Sequence, residues 1–95
     1  TFSPLLSGVL SGKYAKGVPA GARLGMEEMR WLAERYPESL RRGVAPLAEI
    51  AAELGATQAQ LAIAWCAKNP RVSSVITGAS STAQVAENLA AVELL

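Results

Sequence analysis

One segment of this chain has the pattern of a complete buried β-strand. The run from Val72 to Thr77 is rich in β-branched residues, and Gly78 follows it directly. Strands that are buried on both faces of a parallel sheet have such continuous runs, and a single strand cannot form a sheet. Thr1 to Pro4 has the pattern of a strand's last residues, because a residue before proline prefers extended geometry. The sequence therefore predicts a piece of an alternating α/β fold, mostly helical with one or two strands.

Between these two segments the sequence predicts several helices and one long loop. Apolar residues recur at helical spacing, and glycine, proline and capping-box pairs indicate where helices begin and end. The predicted elements begin with a short helical turn within 5–12 and a glycine-rich loop over 13–25. A helix over 26–36, stopped by Pro37, is followed by a turn over 38–42 and by a helix from Pro46 to a glycine cap at Gly55. The last two predicted helices are one opened by Thr57 and Gln60, which runs to about Lys68, and one opened by Ser81 and Gln84.

Composition excludes several classes of function. The chain has 95 residues, a formal net charge of +1, one cysteine and no histidine. Interspersed charges disfavour a nucleic-acid or membrane-surface role, and the residue types disfavour a zinc site, a catalytic triad or a disulfide. No apolar run approaches the roughly 18 residues of a membrane span, and no signal peptide is evident. We therefore expect a soluble, cytoplasmic domain in which Cys66 is a structural thiol.

The first residue is Thr1 rather than methionine. The sequence Thr1-Phe2-Ser3-Pro4 reads as if it began inside a longer chain. We therefore expect a fragment.

The exit of the predicted strand has the features of an anion site. Gly78 lets a ligand approach the backbone closely, and the free amides of the helix that follows supply donors and a partial positive charge. Plain helix capping by Ser80, Ser81 and Gln84 explains the same residues without a ligand. From these residues alone both interpretations stay open.

Three motifs carry a resemblance to a known family. They are the stretch from Phe2 to Tyr14, the apolar run from Leu61 to Cys66, and the stretch from Val72 to Asn88. In this order and spacing they resemble the aldo-keto reductase superfamily, in particular the branch that contains the voltage-gated potassium channel beta subunits and their bacterial relatives. That family folds as a (β/α)8 TIM barrel, which needs about 250 residues. The resemblance implies that residues 1–95 are the C-terminal part of such a barrel.

The resemblance also implies an NADP(H) site. Phe2 matches the position that stacks on the nicotinamide ring. The loop positions that line the pyrophosphate match Ser3, Pro4, Leu5 and Ser7, and the basic residues that close over the phosphates match Lys13 and Arg23. The positions that hold the adenosine 2′-phosphate and the adenine match Gly78, Ser80, Gln84, Glu87 and Asn88. Many family members have arginine where Gln84 stands and lysine near Gly78, so the choice between NADPH and NADH stays open.

No catalytic residue is assigned to this chain. The family's proton-donating tyrosine and its lysine, aspartate and histidine partners lie upstream of the matched segments, and Tyr14, Tyr36 and Lys13 are not in those motifs. The resemblance implies reduction of aldehydes or ketones in the intact protein and no turnover by this chain alone. Trp31 and Trp65, at helical positions among apolar residues, are interpreted as packing residues.

Two alternative functions remain at this point. The chain could be a non-catalytic helical interaction module that assembles with the missing N-terminal barrel portion or a second copy. It could also belong to an ion-channel subunit that senses redox state through its cofactor. No residue of the sequence separates these alternatives from metabolic reduction.

Overall fold

The computed structural model describes residues 1–14, 17–19 and 21–95. Residues 15, 16 and 20 of the predicted loop over 13–25 lie outside the described residues. The described part contains five α-helices: α1 (Arg30–Arg35), α2 (Glu38–Gly43), α3 (Leu47–Glu53), α4 (Gln58–Ala67) and α5 (Thr82–Leu89). It also contains short 3-10 helices at Val9–Ser11, Arg23–Gly25, Glu27–Met29 and Ala90–Leu94.

Capping sets the end of α3 and the start of α4. Thr57 and Gln60 form both bonds of the predicted capping box: the Gln60 N–H donates to Thr57 Oγ1 at 3.2 Å, and the Thr57 N–H donates to Gln60 Oε1 at 3.0 Å. Gly55, just beyond α3, has the left-handed φ of 67° expected of a C-terminal glycine cap. The predicted stop of α3 and the predicted start of α4 are thereby confirmed.

The helix predicted over 26–36 is divided in two. Glu27–Met29 forms a 3-10 turn and α1 begins only at Arg30. No side chain caps the start of this segment at Met26, and a helix end without a capping partner commonly tightens into 3-10 geometry.

The predicted strands are wrong for the part of the chain that the structure describes, which is helical and irregular. Segment 72–77 has no regular sheet partner. The Thr1 amino group donates to the Ser74 carbonyl at 2.6 Å, and the Ile76 N–H donates to the Thr1 carbonyl at 2.9 Å. One residue bonded to two alternate residues of its neighbour is the pattern of a parallel pair. A single such pair does not make a strand, because a strand needs a longer run of paired residues.

Two groups of buried side chains support the fold. Val9, Tyr14, Leu24 and Leu32 form one apolar cluster. The second is centred on α4, which contacts α3, α5 and the 3-10 helices Val9–Ser11 and Ala90–Leu94. Its most buried members are Ala51, Ala59, Ile63, Ala64 and Ala91. Helix α4 therefore connects the N-terminal loop to the C-terminal helices.

Several large apolar side chains lie on the surface. Trp31 is 57% exposed and Trp65 is 75% exposed, so the interpretation of both tryptophans as packing residues is wrong for this chain. Trp31 on α1 and Trp65 on α4 lie on helix faces that no other described element covers. Within the described ranges, no helix combines the length and apolar character needed to cross a bilayer.

Candidate functional site

The two segments predicted to bind a ligand leave the same parallel pair. Thr1 lies beside Val75, because Thr1 bonds to Ser74 and Ile76, the two neighbours of Val75. Phe2 and Ser3 continue from Thr1, and Thr77 and Gly78 continue from Ile76, in the same direction. The space beyond the carboxyl ends of parallel strands is where ligands bind in α/β folds. The pairing thus brings the starts of the two predicted ligand-binding segments, at Phe2 and at Gly78, to the same end of the parallel pair.

The first segment is a loop with an unusual backbone. Ser3, Leu6 and Ser7 have positive φ values of 52°, 50° and 57°, a conformation that side chains other than glycine adopt only rarely. Backbone bonds hold these turns: the Leu6 N–H donates to Ser3 O, and the Leu10 N–H donates to Leu5 O, both at 3.0 Å. Strained residues of this kind persist where the surrounding structure determines the conformation, and they cluster at functional sites.

Tyr14 anchors this loop from behind. Its side chain is fully buried, and its hydroxyl accepts a hydrogen bond from the Leu24 N–H at 3.3 Å. Gly8, with a φ of 95°, packs so closely that an added Cβ would lie 3.2 Å from Tyr14 Cε2 and 3.0 Å from Lys13 Cε. The loop and segment 23–25 are therefore both held against one aromatic ring.

Lys13 and Arg23, the predicted phosphate-binding cations, are attached to this anchor. Each is adjacent in sequence to a residue of the Tyr14–Leu24 contact, and both side chains are exposed. The Lys13 ammonium lies 5.7 Å from the centroid of the Tyr14 ring, a cation–π distance. Lys13 also borders a shallow hollow of about 220 Å³ together with Gly17, Val18 and Pro19. Both cations are thus free to contact an anion while their backbone is fixed.

At the second segment the helix is capped by its own residues. The Ser81 Oγ accepts from the Gln84 N–H at 3.2 Å, which confirms Ser81 as the N-cap. The Gln84 Oε1 does not complete the capping box with Ser81. It accepts instead from the backbone N–H of Ser80 at 2.7 Å and from the Ser80 hydroxyl at 3.0 Å. Gln84 therefore bonds to both serines, and only one of the two bonds of the predicted capping box with Ser81 forms.

Asn88 differs most from its predicted environment. It is only 7% exposed, and its Nδ2 donates to the Gly78 carbonyl at 3.3 Å. Glu87, beside it on α5, is half-buried, and its carbonyl accepts from the Gln60 Nε2 at 3.1 Å. The side-chain amide of Asn88 thus joins α5 to the turn at Gly78 without any ligand.

The predicted positions therefore divide into exposed and buried sets. Phe2 is 78% exposed, and its ring is available for stacking. The other exposed positions are Ser3, Lys13, Arg23, Gly78 and Ser80, the half-buried ones are Leu5, Ser7, Gln84 and Glu87, and the buried ones are Pro4 and Asn88.

Two contacts between distant residues were not predicted from the sequence, that of Tyr14 with Leu24 and that of Gln60 with Glu87. An aromatic residue within a glycine-rich loop was the available signal for Tyr14. The contact of Gln60 with α5 had no local signal, because its partner lies 27 residues away. Among the described residues, no group of three or more acidic, cysteine or histidine side chains is placed to hold a metal ion.

Comparison with known proteins identifies a family to which this sequence is similar. A sequence model described as the Aldo/keto reductase family matches residues 1–95. Over 97 aligned positions the chain is 54% identical to an Arabidopsis thaliana protein named "Probable voltage-gated potassium channel subunit beta", with 100% of this chain and 30% of the relative covered. A protein of the same name from Oryza sativa subsp. japonica is 54% identical over 98 positions, with the same coverage. The chain thus spans 30% of the length of these relatives.

Proposed function

The chain belongs to the aldo/keto reductase family, and from this membership we propose that it supplies the NADP(H)-binding part of an oxidoreductase that reduces aldehydes or ketones. In this proposal residues 1–95 are the C-terminal part of a (β/α)8 barrel. The observation that carries it is the pairing of Thr1 with Ser74 and Ile76, which puts the loop over 3–8 and the turn over 78–81 at one edge. Phosphate sites of such barrels form from two successive loops of this kind and a helix N-terminus.

The cofactor would lie across this edge. Phe2, which is largely exposed, offers a ring face for the nicotinamide. Lys13 and Arg23 lie on the anchored loop and supply the positive charge that a dinucleotide with several phosphates needs. Ser80, Gln84 and Glu87 lie at the other end and offer hydroxyl, amide and carboxylate groups to the adenosine part. A ligand phosphate near Ser80 would compete with Gln84 Oε1 for the Ser80 donors.

In this assignment Asn88 holds Gly78 and does not need to leave that bond. Its Nδ2 donates to the Gly78 carbonyl from a buried position, so it shapes the turn on which Ser80 stands. Pro4 is also buried and has no N–H to donate, so in this proposal it shapes the other loop by packing alone.

Hydride transfer from NADPH also needs a proton donor beside the carbonyl. We assign no residue of this chain to that role. The remainder of the barrel would supply it, so the chain alone would bind cofactor without turnover. Leu89, Val92 and Leu95 are exposed apolar side chains that line one hollow, and they support assembly with further polypeptide, because clustered exposed apolar side chains mark contact surfaces.

A second candidate is a channel-associated subunit. The relatives carry the name of a potassium channel beta subunit, and the same exposed apolar residues would serve such an interaction module. The cofactor site distinguishes the two candidates only in part, since a subunit that senses redox state would also bind NADP(H).

Binding of NADPH to the purified 95-residue chain tests the main proposal. Trp31 and Trp65 are exposed, and their fluorescence reports ligand binding. We expect a saturable fluorescence change and a higher melting temperature with NADPH. Lys13→Ala should weaken binding by roughly tenfold, as expected for one lost charge-assisted hydrogen bond.

Arg71→Ala is the matched control, because Arg71 is an exposed cation outside the candidate site. We expect it to bind NADPH like the original chain. Absence of any saturable change, or equal weakening by Arg71→Ala and Lys13→Ala, would refute the proposed site.

A further inference from the structure

Gln60 connects the beginning of α4 to the end of α5. Its Oε1 accepts from the Thr57 N–H at 3.0 Å, which is the capping-box bond. Its Nε2 donates to the Glu87 carbonyl at 3.1 Å, in a partly buried contact between residues 27 positions apart. Both ends of one side-chain amide are therefore used, one for the local cap and one for the neighbouring helix.

The carbonyl that Gln60 contacts belongs to the last turn of α5. Carbonyl groups at a helix end need partners from outside the regular helix. Asn88, the next residue, is buried and donates to the Gly78 carbonyl. Gln60 thus fixes α5 next to the residue that fixes the turn before α5.

The other polar attachments of this junction are exposed. The hydrogen bonds that Ser80 donates to Gln84 and the one that Ser81 accepts from it all face solvent. Exposed hydrogen bonds compete with water and restrain a helix less than partly buried ones. The direction of α5 relative to the rest of the chain therefore depends on its packing against α4, on Asn88 and on Gln60.

We propose that Gln60 is a positioning residue for the adenosine end of the candidate site. It does not touch the ligand; it holds α5 so that Ser80, Gln84 and Glu87 face the same ligand group. This inference rests on the proposed cofactor site, and it adds a residue on another helix to that site. A ligand that contacts only the nicotinamide end would not sense Gln60.

Gln60→Glu tests the inference with little change to α4. A glutamate at this position keeps the acceptor for the Thr57 N–H, since glutamate and glutamine serve equally in a capping box. It replaces the NH₂ donor by a carboxylate oxygen that faces the Glu87 carbonyl. The contact between α4 and α5 becomes repulsive while the cap persists.

Gln58→Glu is the matched control. Gln58 is in the same first turn of α4, and its Nε2 also donates to a distant carbonyl, that of Val44, at 3.2 Å. The substitution adds the same charge near the same helix N-terminus, where it is favourable. It breaks a bond to the segment before α3 and leaves α5 untouched. Because the Gln58 side chain also packs against Gly12 of the N-terminal loop, Gln58→Glu is the control for hydrogen exchange over α5, and the original chain is the reference for ligand affinity.

Two measurements on the 95-residue chain separate the inference from the proposed function. Hydrogen exchange without ligand should show faster exchange over 78–89 in Gln60→Glu than in Gln58→Glu. Calorimetric titration should show binding of NADPH and of 2′,5′-ADP weakened by the same factor, roughly three- to tenfold, in Gln60→Glu relative to the original chain. Binding of reduced nicotinamide mononucleotide should not change.

Each outcome has one meaning. If exchange over 78–89 is the same in both variants, Gln60 does not position α5 and the inference is wrong, whatever binds. If exchange differs but affinity for 2′,5′-ADP does not, Gln60 supports the fold and not the site, which also overturns the inference. If the original chain binds neither NADPH nor 2′,5′-ADP, the proposed function fails, and the exchange data still show whether Gln60 restrains α5.

Discussion

The loop over 3–14 and the turn over 78–84 are proposed to bind the two ends of one ligand, yet they are held in different ways. The loop is fixed by burial: Tyr14 and Val9 are completely inaccessible, and Gly8 packs against the Tyr14 ring. The turn is fixed by exposed hydrogen bonds among Ser80, Ser81 and Gln84. Burial in a packed core restrains a backbone much more than exposed bonds do, because water does not replace the lost contacts.

This difference has a consequence for ligand binding. The loop carries residues with positive φ that backbone hydrogen bonds and the packing around Tyr14 hold in place without a ligand. The two hydrogen bonds from Ser80 to Gln84 can be replaced by bonds to a ligand at little cost in free energy, because both bonds face water. The N-terminal loop is therefore the rigid end of the proposed site, and the C-terminal turn is the end that can adapt to a ligand.

Tyr14→Ala is the strongest test of the packed region. Removing a fully buried aromatic side chain should lower the free energy of unfolding by about 3–5 kcal/mol. Urea denaturation followed by far-UV circular dichroism measures this loss. Trp65→Ala is the control, because it removes a larger aromatic side chain that is 75% exposed and should change stability by less than about 0.5 kcal/mol. Similar losses in the two variants would contradict the assignment of the core to Tyr14.

Gly8→Ala separates backbone conformation from packing within the same loop. Gly8 has a φ of 95°, and a Cβ there would lie 3.2 Å from Tyr14 Cε2. We expect a loss of about 2–3 kcal/mol from left-handed strain and crowding together.

Gly21→Ala is the partner variant in this comparison. Gly21 has a similar φ of 77°, and among the described residues no atom lies within 4 Å of an added Cβ, so only the strain of about 1 kcal/mol should remain. Equal losses at Gly8 and Gly21 in the same urea measurement would show that the loop does not depend on the Tyr14 contact.

The sequence allowed prediction of the features that depend on neighbouring residues. The capping box of Thr57 and Gln60, the glycine cap at Gly55 and the N-cap at Ser81 all use partners within five residues. Local hydrogen bonding and the conformational freedom of glycine decide such features, so short patterns are sufficient to identify them.

Features that depend on distant partners were not predictable in the same way. A β-branched run such as 72–77 becomes a strand only beside paired neighbours, and in this structure it has a single pair with Thr1. Trp65 has apolar sequence neighbours, but its exposure depends on whether another element covers that face of α4. The bond from Gln60 to Glu87 likewise joins residues whose proximity only the tertiary fold creates.

Ser81→Ala tests the hydrogen-bonded region and should have the smallest effect of the series. The substitution removes the oxygen that accepts from the Gln84 N–H, and loss of an N-cap costs about 1 kcal/mol. Thr57→Ala provides the comparison, because it removes the same kind of oxygen, the acceptor of the Gln60 N–H, while the bond from the backbone N–H of residue 57 to Gln60 Oε1 persists. We therefore expect a loss of similar size from Thr57→Ala, measured by the same urea denaturation. If Ser81→Ala were instead as damaging as Gly8→Ala, the turn over 78–84 would be as firmly fixed as the loop, and the distinction between a packed and an adaptable end of the site would not hold.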